Sequence, residues 1–243
     1  MAELEVIDIN HDFSEDYYRD IDPDKYNLIL RNWHRILWEK SLPYDKPVFT
    51  LFEKDHGLMH KSDLGEYYLT SDSIIHTYSR QKSISKIINE FPKEEIDTFF
   101  RIACTIGGYI LFPGYIIDKK QTINGARGFH PKIADRFDLT LECIRLYYNG
   151  EIDIKINPLG ETINRYTNYF QLFTDFKGYC DFFLLQDLTK NNYNEIDFFL
   201  PFNGFTSKPR PSSIYEYCIY KEKSINFVNN RNEKIKKYVY ANI

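Results

Sequence analysis

The stretch that most constrains this chain runs from Gly107 to Gly150, where a short apolar run, a glycine-bearing polar loop and a strongly periodic segment follow one another. Tyr109 to Phe112, closed by Pro113-Gly114, reads as a buried strand because four apolar residues end in a turn dipeptide. Thr122 to Gly128 holds two glycines three apart, which predicts a loop free to adopt positive φ and to approach another group closely. His130 as cap and Pro131 at the first helical position then predict a helix ending at Asn149-Gly150. Within it Phe137, Leu141, Ile144 and Tyr148 share one face and point to the core. Asp135, Asp138, Glu142 and Arg145 fall on another, read as a solvated charged stripe with one local pair.

Elsewhere the pattern is mostly helical. Lys25 to Lys40 is amphipathic, with Tyr26, Ile29, Leu30, Trp33, Ile36 and Leu37 inward and His34 on the polar side. Val48 to Phe52 and Gly65 to Leu69 read as strands joined across a polar loop, Glu53 to Asp63. Ser83 to Glu90 and a segment opening at Lys93 are helices, as is Glu161 to Leu172. Phe173 to Leu188 is apolar nearly all round, predicting a core helix whose Lys177, Asp181 and Asp187 must be paired or functional. Ile196 to Phe202 reads as a strand, and 214–240 as a final helix with cations near its negative end. Together these predict an α+β fold: one predominantly helical domain over 1–243 with a small, mainly antiparallel sheet.

The strings TINGARGFHPKIADRFDLTLECIR, NPLGETINRYTNYFQLFTDFKGYCDFFLLQDL, FFLPFNGF and HKSDLGEYYLTSDSIIHTY resemble an uncharacterised bacterial family carried as a domain of unknown function. The resemblance covers most of the chain. It implies one full-length domain and carries no catalytic residue or substrate.

Composition narrows the classes. Nineteen Phe and twenty Tyr among 243 residues predict a core filled by rings, with tyrosine hydroxyls at its boundary. A net charge of -4 argues against a protein that coats nucleic acid. The charge is uneven: the acidic segment 1–24 holds nine acids and one arginine, while eight basic residues lie from Lys208 onward. The ends either neutralise one another or leave a basic patch for phosphate-bearing partners. Cys104, Cys143, Cys180 and Cys218 form no CxxC pair and read as reduced packing thiols, which together with the lack of a signal peptide or spanning run predicts a cytoplasmic protein outside the membrane.

The chain has no P-loop, no dinucleotide-binding glycine run and no nucleophile elbow. His56, His60 and His76 lack a carboxylate at ligand spacing, so no metal ligand is assigned, and no motif names a cofactor. The candidate site is therefore the Asn124 to His130 loop. His130 and Asp135 are the candidates for proton transfer, and Asn124, Arg127 and Asp138 for holding a phosphate-bearing ligand, a nucleotide or RNA. The structural alternative has Asn124 and Arg127 tying the loop to acidic side chains. A second class of function is a non-catalytic helical module binding a protein partner or a second copy.

Overall fold

A computed structural model describes residues 7–18, 22–38, 40, 42–43, 50–54 and 57–241. The N-terminal part carries α1 (Ser14–Tyr18), α2 (Pro23–Tyr26) and α3 (Leu28–Trp38), followed by β1 (Thr50–Lys54), β2 (Gly57–Ser62) and β3 (Gly65–Ser73). After α4 (Ser85–Ile88) and α5 (Lys93–Ala103), β4 (Tyr109–Pro113) completes an antiparallel sheet of order β1-β2-β3-β4. Then come α6 (Ile123–Phe129), α7 (Phe137–Tyr148), α8 (Gly160–Asn164), α9 (Thr167–Gln171) and α10 (Phe176–Phe182). A two-stranded ladder of β5 (Thr189–Lys190) and β6 (Glu195–Ile196) precedes the long α11 (Ile214–Ala241). The α+β, mainly helical architecture expected from the sequence is the observed one.

The core is built as the composition suggests. Trp38, Tyr169, Phe173, Tyr179, Phe182 and Phe183 are all buried, and Phe173 meets Tyr179 edge-on at 5.3 Å. Edge-to-face contacts of this kind add about 0.5–1.5 kcal/mol per pair beyond the buried area. α11 locks the two halves together: Tyr220 Oη donates to the His76 carbonyl, Tyr217 Oη to that of Thr77, and Asn232 Oδ1 accepts from Gly107 N–H at 2.7 Å. A Cβ on Gly107 would lie 2.6 Å from that same Asn232 oxygen, which is why glycine stands there. Three lysines of α11 pair with the body of the protein, Lys234 with Asp187 at 2.7 Å, Lys223 with Asp197 at 3.6 Å and Lys221 with Glu95.

Several expectations are corrected. The polar loop 53–63 contains β2, so the two expected strands become a three-strand meander; Val48 and His56 lie outside the described residues. The continuous helix 173–188 does not form, because Thr174 (φ 70°) and Leu184 (φ 57°) take left-handed conformations on either side of α10, whose N-terminus is capped by Asp175. Likewise 161–172 is split into α8 and α9. Of the expected 196–202 strand only Ile196 is paired, and with β5 rather than the main sheet; the Phe199 N–H is taken by the Asp138 carboxylate instead. Tyr26 is exposed, whereas His34 is buried. Arg231, expected near the dipole end of the last helix, is buried in the core.

The central stretch changes most. Thr122 to Gly128 is not a loop with positive-φ glycines but α6, capped by Thr122 Oγ1 accepting from Gly125 N–H. His130 is the C-cap of that helix, not the start of the next. Ala134 (φ 47°) and Asp135 (φ 66°) are left-handed and cannot be helical, so α7 begins only at Phe137. Phe137, Leu141 and Ile144 are fully buried as expected. The charged stripe is not solvated: Asp138 is fully buried and Glu142 nearly so. Glu142 does pair with Arg145, at 2.7 Å. No helix among the described residues is long and apolar enough to cross a membrane.

Candidate functional site

β2 covers β3 only as far as Leu69, while β4 pairs with Leu69 to Ser73. Antiparallel strands alternate hydrogen-bonded and non-bonded pairs. The Ile74 N–H to Gly108 carbonyl and Gly114 N–H to Tyr68 carbonyl bonds place Tyr68, Thr70, Asp72 and Ile74 on the bonded side toward β4. Ser71 and Ser73 therefore aim their backbone groups at the uncovered edge of β3. Buried backbone groups need partners, and here side chains supply them. Ser71 N–H donates to Asp24 Oδ2 at 2.8 Å, and Ser73 N–H to Asp72 Oδ1 at 2.9 Å. The Ser73 carbonyl accepts from Arg127 Nη1 at 3.0 Å, while Asn124 Nδ2 reaches Thr70 Oγ1 at 3.3 Å and the Ser71 carbonyl at 3.5 Å.

Arg127 stands at the centre of this edge with 0% of its surface exposed. Its Nη1 meets Asp72 Oδ2 at 2.5 Å and Asp135 Oδ1 at 3.0 Å, Nη2 donates to the Asp135 carbonyl, and Nε donates to Thr140 Oγ1 at 3.2 Å. Burial alone would lower its pKa, but Asp72 and Asp135 more than offset that and raise it. The guanidinium is thus held from several sides, and it fixes both carboxylates.

What reaches solvent is the rim. The side chains of Asp72, Asp135 and His76 are 23%, 28% and 29% exposed. Nδ1 of His76 accepts the Tyr78 N–H at 2.9 Å, so the neutral ring must carry its proton on Nε2. That nitrogen lies 3.9 Å from Asp135 Oδ2, the oxygen opposite the one nearest Arg127. Burial lowers the His76 pKa, Asp135 raises it, and Arg127 and Arg210 lower it again. Arg210 is half-buried, and its Nε makes no hydrogen bond among the described residues.

Of the residues singled out from the sequence, Asn124, Arg127 and Asp135 come together at this edge. Asp138 does not: Arg136 grips it with Nε at 3.0 Å and Nη2 at 2.5 Å, and it caps the Phe199 amide inside the core. His130 lies at the end of α6, where its Nδ1 accepts from Lys132 N–H at 3.2 Å. Sequence reasoning missed Asp24, Asp72, His76 and Arg210 as members of the cluster. Nothing local in Thr70-Ser71-Asp72-Ser73 reveals that β3 outruns β2. On the opposite side of Ser71, His34 Nε2 is 2.8 Å from its Oγ, and burial pushes His34 down to about 3. No group of three His, Cys, Asp or Glu among the described residues could hold a metal ion.

Neither the curated proteins nor the solved structures contain a match to this chain. A family does match, over residues 7–235, and bears out the resemblance carried by the TINGARG, NPLGETINRY and FFLPFNGF strings. On that match the chain belongs to the family of unknown function DUF6994.

Proposed function

We propose that the chain binds, and transfers a proton to or from, a phosphate-bearing ligand, a nucleotide or a stretch of nucleic acid, at the rim formed by His76, Asp135 and Arg210. The observation that carries this reading is the His76–Asp135 pair: a histidine of fixed tautomer faces a carboxylate whose other oxygen is anchored by buried Arg127. With Nδ1 taken by the Tyr78 amide, the pair offers the His76 Nε2–H as a donor and Asp135 Oδ2 as the proton acceptor at the rim. Arg127, already occupied by Asp72 and Asp135, positions the carboxylate, and the cation left for a phosphate is Arg210. Calorimetric titration of inorganic phosphate, mononucleotides and a short RNA into the wild type, Arg210→Ala and His76→Gln tests this. Arg210→Ala should weaken binding about tenfold at unchanged melting temperature, the loss of one charge-assisted contact. Undiminished affinity in that variant refutes the reading.

A non-catalytic interaction module is favoured by a separate observation. Ile152, Ile154 and Ile156 are 43%, 52% and 50% exposed on a loop tied down by Asn157, which donates to the Cys143 and Glu151 carbonyls. Rigid exposed apolar residues mark contact surfaces. Ile154→Ser should then lower the mass seen by sedimentation, and equal masses count against self-association there.

A further inference from the structure

Asparagine followed by glycine occurs at three places in the chain, 124–125, 149–150 and 203–204. Such a pair can react with itself: the glycine nitrogen, having given its proton to solvent, attacks the asparagine Cγ, the new C–N bond closes a five-membered succinimide, and Nδ2 leaves as ammonia. Water then opens the ring at either carbonyl, leaving an aspartate or an isoaspartate whose main chain runs through the former side chain. Glycine favours the attack because no Cβ obstructs its nitrogen. The reaction also needs a glycine N–H released from hydrogen bonding and an amide side chain free to swing onto it. We propose that Asn203 is the site at which the folded protein undergoes this modification, and that the fold protects the same dipeptide at 124 and 149.

The three pairs stand in different surroundings. Asn124 lies in α6 with its Nδ2 held 3.3 Å from Thr70 Oγ1, and the Gly125 N–H donates to the Thr122 cap at 3.3 Å. Asn149 is exposed, but it is the C-cap of α7, and the Gly150 N–H donates to the Tyr147 carbonyl at 2.9 Å. Asn203 and Gly204 are both exposed, in a turn closed by the Thr206 N–H on the Asn203 carbonyl at 2.9 Å. Gly204 (φ 55°) and Phe205 (φ 61°) are its two central residues, and positive φ at both is the mark of a type I′ turn. The Gly204 N–H takes no part in the closing bond, and among the described residues neither it nor the Asn203 side chain makes a hydrogen bond. A Cβ on Gly204 would meet nothing within 4 Å, so the approach to its nitrogen is open. The new carboxylate and, in the isoaspartate, one extra main-chain methylene arrive in the turn that seats buried Phe205 against Phe202, ring to ring at 4.9 Å.

The test is peptide mapping by mass spectrometry of the full chain held at mildly alkaline pH, folded and in concentrated urea, with fragmentation that separates aspartate from isoaspartate. In the fold Asn203 should convert about tenfold faster than Asn124 or Asn149, the factor for a site that need not break a hydrogen bond first. In urea the three rates should converge, because the unfolded chain offers each pair the same freedom. Asn203→Gln, an exposed change without a hydrogen bond to lose, should remove the first acidic species that isoelectric focusing detects on storage. A folded-state rate at Asn203 no greater than that at Asn149, or an acidic species that persists in Asn203→Gln, overturns the proposal. So does a preference for Asn203 that survives in urea, since neighbouring sequence rather than the fold would then set it.

Discussion

Arg127 and Arg231 are both completely buried, and their surroundings differ in kind. Arg127 lies between two carboxylates and finishes the exposed edge of β3. Among the described residues Arg231 hydrogen-bonds only to carbonyls: it donates to Phe183 O at 3.0 Å, Gly107 O at 2.8 Å and Tyr109 O at 2.6 Å. Phe183 ends α10 and Gly107 sits in a short 3-10 turn, so Arg231 neutralises the negative ends of backbone dipoles rather than side-chain charge. The pKa directions follow: carboxylates raise that of Arg127, and burial brings that of Arg231 down to about 9. The difference also spreads. Beyond the dominant effect of burial, the Arg231 charge lowers the pKa of both His34 and Lys40, the latter to about 8. The region of Arg127 absorbs its own charge and keeps a polar rim; the region of Arg231 exports charge into an aromatic core.

The largest expected effect separates the two directly. Arg127→Met leaves Asp72 and Asp135 facing one another without their cation, and breaking a buried pair from one side costs about 3–5 kcal/mol. Burial already raises the Asp72 pKa, so protonation relieves the variant: its deficit at pH 7 should shrink markedly by pH 4.5 in urea unfolding. A deficit independent of pH would show that the carboxylates are not what the arginine holds. Arg231→Met leaves neutral carbonyls, at a cost of about 2 kcal/mol once the buried charge is also gone. That deficit should vary far less between pH 4.5 and 7 than the deficit of Arg127→Met. The His34 imidazole in this variant should titrate at a higher pH than in the wild type, read by NMR, because one cause of its depression is removed.

Next comes the acid limb. Because the folded pKa of His34 is held near 3 against an ordinary value of 6.5, protonation favours the unfolded chain, and stability is lost as pH falls from 6.5 toward 3. By pH 5 that amounts to about 2 kcal/mol, at 1.36 kcal/mol for each unit of pH below 6.5. His34→Gln can keep a hydrogen bond to Ser71 and should flatten this limb; a slope equal to that of the wild type would place the acid sensitivity elsewhere.

How much of this was legible in the sequence divides along the same line. The apolar positions of α7, the ring-rich core and the final helix were readable because 3.6-residue periodicity and burial are local properties. TINGARG was readable as a place of consequence, but its form was not: α6 is a helix because Thr122 caps it and because Asn124 and Arg127 must reach the edge of β3. That requirement arises between residues 71 and 127, and no window on the sequence contains both. The buried state of Asp138 has the same origin, since its partners include the Phe199 amide 61 residues away. His76 was noticed only as a weak metal candidate, because its partner Asp135 is set by a left-handed turn that the Pro131 helix signal concealed.

The smallest effect tests whether the Arg127 region has a charge it does not absorb. Asp24 accepts the Ser71 N–H through Oδ2, while its Oδ1 makes no hydrogen bond and lies 3.9 Å from His34 Nε2. Burial raises its pKa, the hydrogen bonds from Ser71 lower it, and the charges of Asp22 and Asp72 raise it further. A carboxyl raised in the fold contributes stability that is fully present below its unfolded value of 3.8 and is lost as pH rises through the folded one. At pH 7 its ionisation therefore works against folding. Asp24→Asn keeps an oxygen for Ser71 and removes the charge, so it should gain up to about 1 kcal/mol at pH 7, the scale of a partly screened site, and nothing at pH 3.5. Loss of stability at pH 7 would mean that the carboxylate is held by a favourable charge after all, and that the edge of β3 is compensated at Asp24 as fully as at Asp72.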